Sequence, residues 1–203
     1  MQMTTGIYDF LAGPCLYITV PLCIAGFTRK TCIILSGREN GLKFPVMRRG
    51  ASLPGITDTK RINLIGVVSL LFHIALFMAP LTAKAHGMLI DQSWGLLPPA
   101  IDPALTGILT RVVIITGLFF ILRRTLIRHV FAVSSWRDYA AMICVLTPFV
   151  TGIFARKLIG SYETVMIIHC ASAHVMLIAM GWTRLGHMVF FISGRIAVSG
   201  KKA

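Results

Sequence analysis

Five of the six histidines in this 203-residue chain lie in two long apolar stretches: His73 and His86 in one, His169, His174 and His187 in the other. His169 and His187 are eighteen residues apart. On a continuous helix at ~100° per residue that interval is five whole turns, so both rings project from one stripe. The rise is about 27 Å, close to the thickness of the hydrocarbon core of a bilayer, which puts one imidazole near each membrane face. An imidazole inside hydrocarbon needs a partner. Two imidazoles per iron give a saturated axial ligation suited to electron transfer rather than gas chemistry. Two helices with two histidines each is the pattern that holds two stacked b haems.

Five apolar segments can position these residues, at about 8–27, 62–90, 105–122, 139–154 and 164–192. They predict an all-α integral membrane protein, a five-helix transmembrane bundle forming one domain over 1–203. The composition agrees: 13% of residues are charged and 56% hydrophobic, against about 25% charged in a soluble domain. Met1 to Thr5 carries no basic run and no small-residue cleavage site follows, so the first segment reads as a span rather than a removable signal. The second and fifth segments exceed the ~20 residues a span needs, so tilt or overhang is expected.

The net charge of +13 raises a nucleic-acid reading, but the basic residues alternate with the spans as membrane topology demands. Fifteen of the twenty fall on one side: in the link after the first span (Arg29, Lys30, Arg38, Lys43, Arg48, Arg49, Lys60, Arg61), in the link after the third (Arg123, Arg124, Arg128, Arg137) and in the tail (Arg195, Lys201, Lys202). The other side carries Arg156 and Lys157. This asymmetry predicts an outside N-terminus and a cytoplasmic C-terminus. The long basic link from Thr31 to Lys60 either docks a cytoplasmic partner or only fixes topology. Five scattered cysteines without a C-x-x-C give no disulfide framework, iron–sulfur site or covalent haem attachment.

The second and fifth spans are antiparallel, so depth matching pairs His73 with His187 toward the cytoplasm and His86 with His169 toward the outside. On the second span the histidines are thirteen residues apart, about 20 Å along a straight helix but ~220° around it. Pro80, between them, can kink or unwind the helix and re-aim His86. His174 competes with His169, since it lies thirteen residues before His187. The two point ~140° apart, so one ligates while the other is a hydrogen-bonding or quinone-site residue; His169 is preferred. His129, in a basic run, reads as a surface residue.

Three cations fall inside the spans. Arg184, three residues before His187, can reach a haem propionate or snorkel to the interface. Lys84, two before His86, can pair with a propionate, hydrogen-bond a quinone carbonyl, or snorkel. Arg111 needs an anion, either a propionate or Asp91 or Asp102. Gly13, Gly66, Gly117, Gly152 and Gly181 can open room for a macrocycle or for close helix contact. No phosphate-binding loop, Ser-His-Asp set or thiolate cluster stands out, so no independent covalent catalysis is expected.

The run Thr183-Arg-Leu-Gly-His187, with His169 upstream and Phe72-His73 on the second span, resembles the cytochrome b (gamma) subunit family of respiratory nitrate reductase. The closer likeness is to its short relatives in sulfate-reducing bacteria, the cytochrome b subunits of transmembrane redox complexes of the high-molecular-weight cytochrome c type. Tyr8-Asp-Phe-Leu-Ala-Gly-Pro14, Pro80, His86, Trp136-Arg-Asp138 and Pro148-Phe-Val-Thr-Gly152 extend it over nearly the whole chain. The nitrate-reductase subunits differ in a shorter interval between the second-span histidines. The resemblance implies two b haems, menaquinone exchange and a cytoplasmic iron–sulfur subunit in the bacterial cytoplasmic membrane. A quinone-binding membrane subunit and an extracytoplasmic multihaem cytochrome c are further partners it suggests. The rival reading is a haem-free assembly or transport subunit whose histidines relay protons or bind metal.

Overall fold

The computed structural model describes residues 2–35 and 64–186. Those residues form eight helices: α1 Gln2–Ala12, α2 Pro14–Leu35, α3 Leu64–Thr82, α4 Lys84–Trp94, α5 Pro103–Leu126, α6 Arg128–Val133, α7 Trp136–Arg156 and α8 Tyr162–Trp182. Five stretches are long and apolar enough to cross a membrane: Gly6–Ile33 (α1 and α2 read together), α3, α5, α7 and α8. Their outward faces carry side chains such as Ile18, Leu70, Ile115, Ile143 and Val175. Apolar surface of that kind on helices whose own bonds satisfy the backbone suits lipid, and the chain is a multi-pass membrane protein.

The helices pack in the sequence α3 on α5, α5 on α7, α7 on α8, and α8 on α2 and α1. The core lies where four of them meet: Phe72, Ala75, Leu76 and Ala79 of α3, Val113 of α5, Val145, Leu146 and Phe149 of α7, and Met176 of α8. Small residues set the closest approaches. A Cβ on Gly26 would lie 2.6 Å from the Gly181 carbonyl carbon, so α2 and α8 touch backbone to backbone.

Three expected segments end differently. The first span runs on to Ile33, which places Arg29 and Lys30 inside α2 rather than in the following link. Lys30 is only 2% exposed. Its stem is buried, and its ammonium donates to the carbonyls of Thr183 at 2.6 Å and Met180 at 3.3 Å. Those carbonyls belong to the last turn and the C-cap of α8, where backbone acceptors are left over at a helix end; the Thr183 carbonyl also receives Gly186 N–H at 3.3 Å.

The second apolar segment is not one helix. It breaks at Ala83, whose backbone is extended (φ −70°, ψ 125°). Pro80 cannot donate to the Leu76 carbonyl and so weakens the turn just before the break, and the Thr82 carbonyl is taken by Ile101 N–H at 3.1 Å.

The fifth segment ends at Trp182, short of 192. Thr183 is extended (φ −113°, ψ −176°), and its hydroxyl receives Leu185 N–H at 3.2 Å to open a short 3₁₀ turn, Arg184–Gly186. The helix that carries His169 therefore ends before position 187, so the uninterrupted helix that the five-turn stripe assumes is not found in the described residues. His187 itself, the Arg184 side chain, most of the Thr31–Lys60 link and the basic tail lie outside the described residues.

Candidate functional site

The break at Ala83 decides where His86 goes. In an unbroken helix the Pro80 carbonyl would accept the N–H of residue 84. Here it is an orphan of the last turn, and His86 Nδ1 donates to it at 2.9 Å. The helix restarts at Lys84 in a new direction, which removes the ~220° mismatch a straight helix imposes.

On α8, His169 is held in the same way. Its Nδ1 donates to the Pro148 carbonyl of α7 at 2.9 Å, and the Thr151 hydroxyl lies 3.2 Å from the same nitrogen. Gly152 makes the room: a Cβ there would come within 3.2 Å of His169 Cε1. The two rings thus come from separate helices and meet, with centroids 6.0 Å apart and planes inclined by only 17°.

Each Nδ1–H is tied to a backbone carbonyl, so each Nε2 carries the lone pair. This is how a supporting bond fixes the tautomer of a metal-ligating histidine. No hydrogen bond joins the rings. Among the described residues no three His, Cys, Asp or Glu side chains converge as a metal cage would require.

His73, mid-way along α3, has its Nδ1 on the Ser69 carbonyl one turn back. Its ring stands edge-on to Phe72, centroids 5.3 Å apart, and Phe72 in turn meets Phe120 of α5. The tautomer is again the one with the lone pair on Nε2.

His174 differs in kind. It is 7% exposed; its Nε2 donates to the Leu11 carbonyl at 2.8 Å and its Nδ1 lies 2.9 Å from the Thr19 hydroxyl. Both nitrogens are used within the protein, which leaves none for a metal. This separates it from His169, a distinction that spacing alone leaves open.

The expected cations do not join the histidine pair. Lys84 is exposed at the first position of α4, ~200° around the helix from His86. Arg111 lies on the exposed face of α5 between Ile108 and Ile115, without an ion pair to Asp91 or Asp102. Asp102 instead caps α5, accepting Ala104 N–H at 2.6 Å. His129 is exposed.

Ser69, Thr151 and Thr19, the polar partners of three histidines, have no signature in sequence beyond their type. The Pro148–Gly152 run was legible as a motif, although its role as the seat of the His169 ring was not. At the opposite end of the core, Arg123 Nε and Tyr139 Oη are buried without a hydrogen-bond partner, and nothing in their spacing marks them.

No family model matches the chain, and no solved structure matches it. A curated protein of Nitratidesulfovibrio vulgaris strain Hildenborough, whose name states no activity, is 30% identical over 129 residues, 64% of this chain. The chain spans 57% of that relative's length.

Proposed function

We propose that this chain is a dihaem cytochrome b subunit of a membrane redox complex. In this reading it carries electrons across the bilayer between menaquinone, or an extracytoplasmic multihaem cytochrome c, and a cytoplasmic iron–sulfur subunit. The observation that carries the proposal is the facing pair His86 and His169, 6.0 Å apart and nearly parallel. Both rings are locked by carbonyls in the tautomer a metal requires. The resemblance of the histidine runs to the short cytochrome b subunits points the same way.

In this reading His86 and His169 hold the outer haem, and His73 pairs with His187 toward the cytoplasm. A b haem held by these imidazoles would supply one-electron transfer. The protein's part is to fix the imidazoles, exclude water with the Phe72–Val113–Phe149 core and keep the two sites at different depths. Lys84, exposed at the start of α4 and on a different face from His86, is the cation proposed to meet a quinone carbonyl. Arg184 is the cation proposed for a propionate, and the basic asymmetry of the links supports an outside N-terminus in the bacterial cytoplasmic membrane.

The reduced-minus-oxidised visible spectrum of the purified protein tests this directly. A b-type alpha band with a pyridine-haemochrome yield of about two per chain is expected, as four axial imidazoles require. A spectrum with neither would overturn the proposal and leave the haem-free transport or assembly reading.

A further inference from the structure

Two polar atoms in the described part of the bundle are buried with no hydrogen-bond partner, Arg123 Nε and Tyr139 Oη. Both belong to the same end of the α5–α7 contact. Their chain neighbours Arg124 and Asp138 form an ion pair at 3.7 Å, so the last turn of α5 and the first turn of α7 lie against each other there.

The carboxylate at that contact is already engaged. Asp138 Oδ2 accepts from Ser135 N–H at 2.8 Å, closing the cap of α7, and it faces Arg124 rather than Arg123. Arg124 also donates to Ser134 Oγ at 3.3 Å. Arg123 Nε and the Tyr139 hydroxyl are thus buried donors without a hydrogen-bond partner among the described residues. Orphaned buried donors in a native fold call for a ligand, water or ion. A guanidinium together with a phenol selects an anionic oxygen.

The position adds to this. Arg123 lies three residues after Phe120 on one face of α5, and Phe120 packs edge-on to Phe72, beside His73. Tyr139 lies three residues before Met142, which packs on the core. Both donors sit about one turn beyond the core at the arginine-rich end of the bundle.

We propose that Arg123 and Tyr139 form a buried anion-holding pair that takes a carboxylate or phosphate oxygen inserted between α5 and α7. Two sources share this chemistry: the propionate of a haem ligated by His73, which rests on the function proposed above, and the phosphate of a tightly held anionic phospholipid, which does not.

Tyr139→Phe removes one oxygen and keeps the ring, so the fold is retained; Arg123→Leu removes the charge. Full-length wild type and both variants, purified from membranes in mild detergent, are compared by native mass spectrometry and by redox-difference infrared spectroscopy. If the anion is a phospholipid, retained anionic lipid falls roughly tenfold or more in both variants, as loss of one charge-assisted hydrogen bond requires, while haem content is unchanged. If it is a propionate, lipid retention is unchanged and a haem carboxylate band shifts in both variants at equal haem content. Wild-type lipid retention together with wild-type infrared bands in Tyr139→Phe overturns the proposal, since water alone would then satisfy the pair. A wild-type protein without haem would defeat the proposed function, yet the lipid arm would still decide this one.

Discussion

His86 Nδ1 and the Pro80 carbonyl are joined across a helix break that neither residue makes alone. Pro80 weakens the helix and Ala83 turns it; the carbonyl left unpaired then catches the imidazole six residues on, at 2.9 Å. Pro80→Ala should favour a continuous helix in which that carbonyl takes the N–H of residue 84 instead. His86 would swing away from His169, and one of the two b haems proposed above should be lost or become high-spin. Electron paramagnetic resonance of the oxidised variant checks this; two unchanged low-spin signals would show that the break does not depend on the proline.

The histidine pairing makes a separate claim. His86→Ala and His169→Ala should each remove the same haem, and the double variant should remove no more than either one. Redox titration of the single variants reads this as loss of one common component. His73→Ala should remove the other. If His86 and His169 variants lost different components, the facing rings would be a packing feature only.

Gly152 tests the seat of His169. Its Cα lies so close to the ring that an added Cβ would stand 3.2 Å from Cε1, tight enough that the imidazole must shift by a few tenths of an ångström. Gly152→Ala should leave the haem bound but move its midpoint potential or g-values. Gly152→Val, with a branched side chain on the same contact, should abolish it. Identical potentials in wild type and Gly152→Ala would mean that the ring has slack.

Much of this arrangement was legible in the sequence, and what was hidden has physical reasons. Hydropathy marks the five spans because lipid demands apolar surface all along them. Depth matching of antiparallel spans puts His86 against His169. The helix ends were not legible. Lys30 reads as a link residue in a charge count, yet it is buried, because the α8 carbonyls that receive it come from a part of the chain 150 residues away. Likewise a straight helix through 164–192 is the natural reading of an apolar run, and the stop at Thr183 depends on that same distant lysine and on a threonine hydroxyl. Tertiary hydrogen bonds of this kind leave no periodicity behind. The difference between His169 and His174 likewise lies in their partners, Pro148 and Thr151 in one case and Leu11 with Thr19 in the other.

His174 should therefore matter for stability rather than for cofactor. Thr19→Val leaves His174 Nδ1 buried without its hydroxyl partner, a loss of about 1–3 kcal/mol. His174→Ala removes the link between α8 and the end of α1 as well. Both variants should unfold at lower temperature with the full haem content, measured by thermal melts beside the pyridine-haemochrome yield. Loss of a haem in His174→Ala at undiminished stability would transfer the ligand role to His174.

Lys30 offers the sharpest contrast between charge as topology and charge as structure. Its ammonium neutralises the negative end of α8 by binding two of its final carbonyls, a favourable position for a cation. It also lies where a side chain on Gly186 would collide with it, since a Cβ there would be 2.9 Å from Nζ. Lys30→Met keeps the buried stem and removes the charged hydrogen bonds, each worth about 1.5–3 kcal/mol. The α8 terminus should then fray, with faster amide hydrogen exchange at Thr183 and Leu185 and slow exchange retained at Phe149 and Met176 in the core. Arg29→Gln, one residue away on the exposed side of α2, should leave exchange at α8 unchanged. Equal exchange in Lys30→Met and Arg29→Gln would reduce Lys30 to one more positive charge on its side of the membrane.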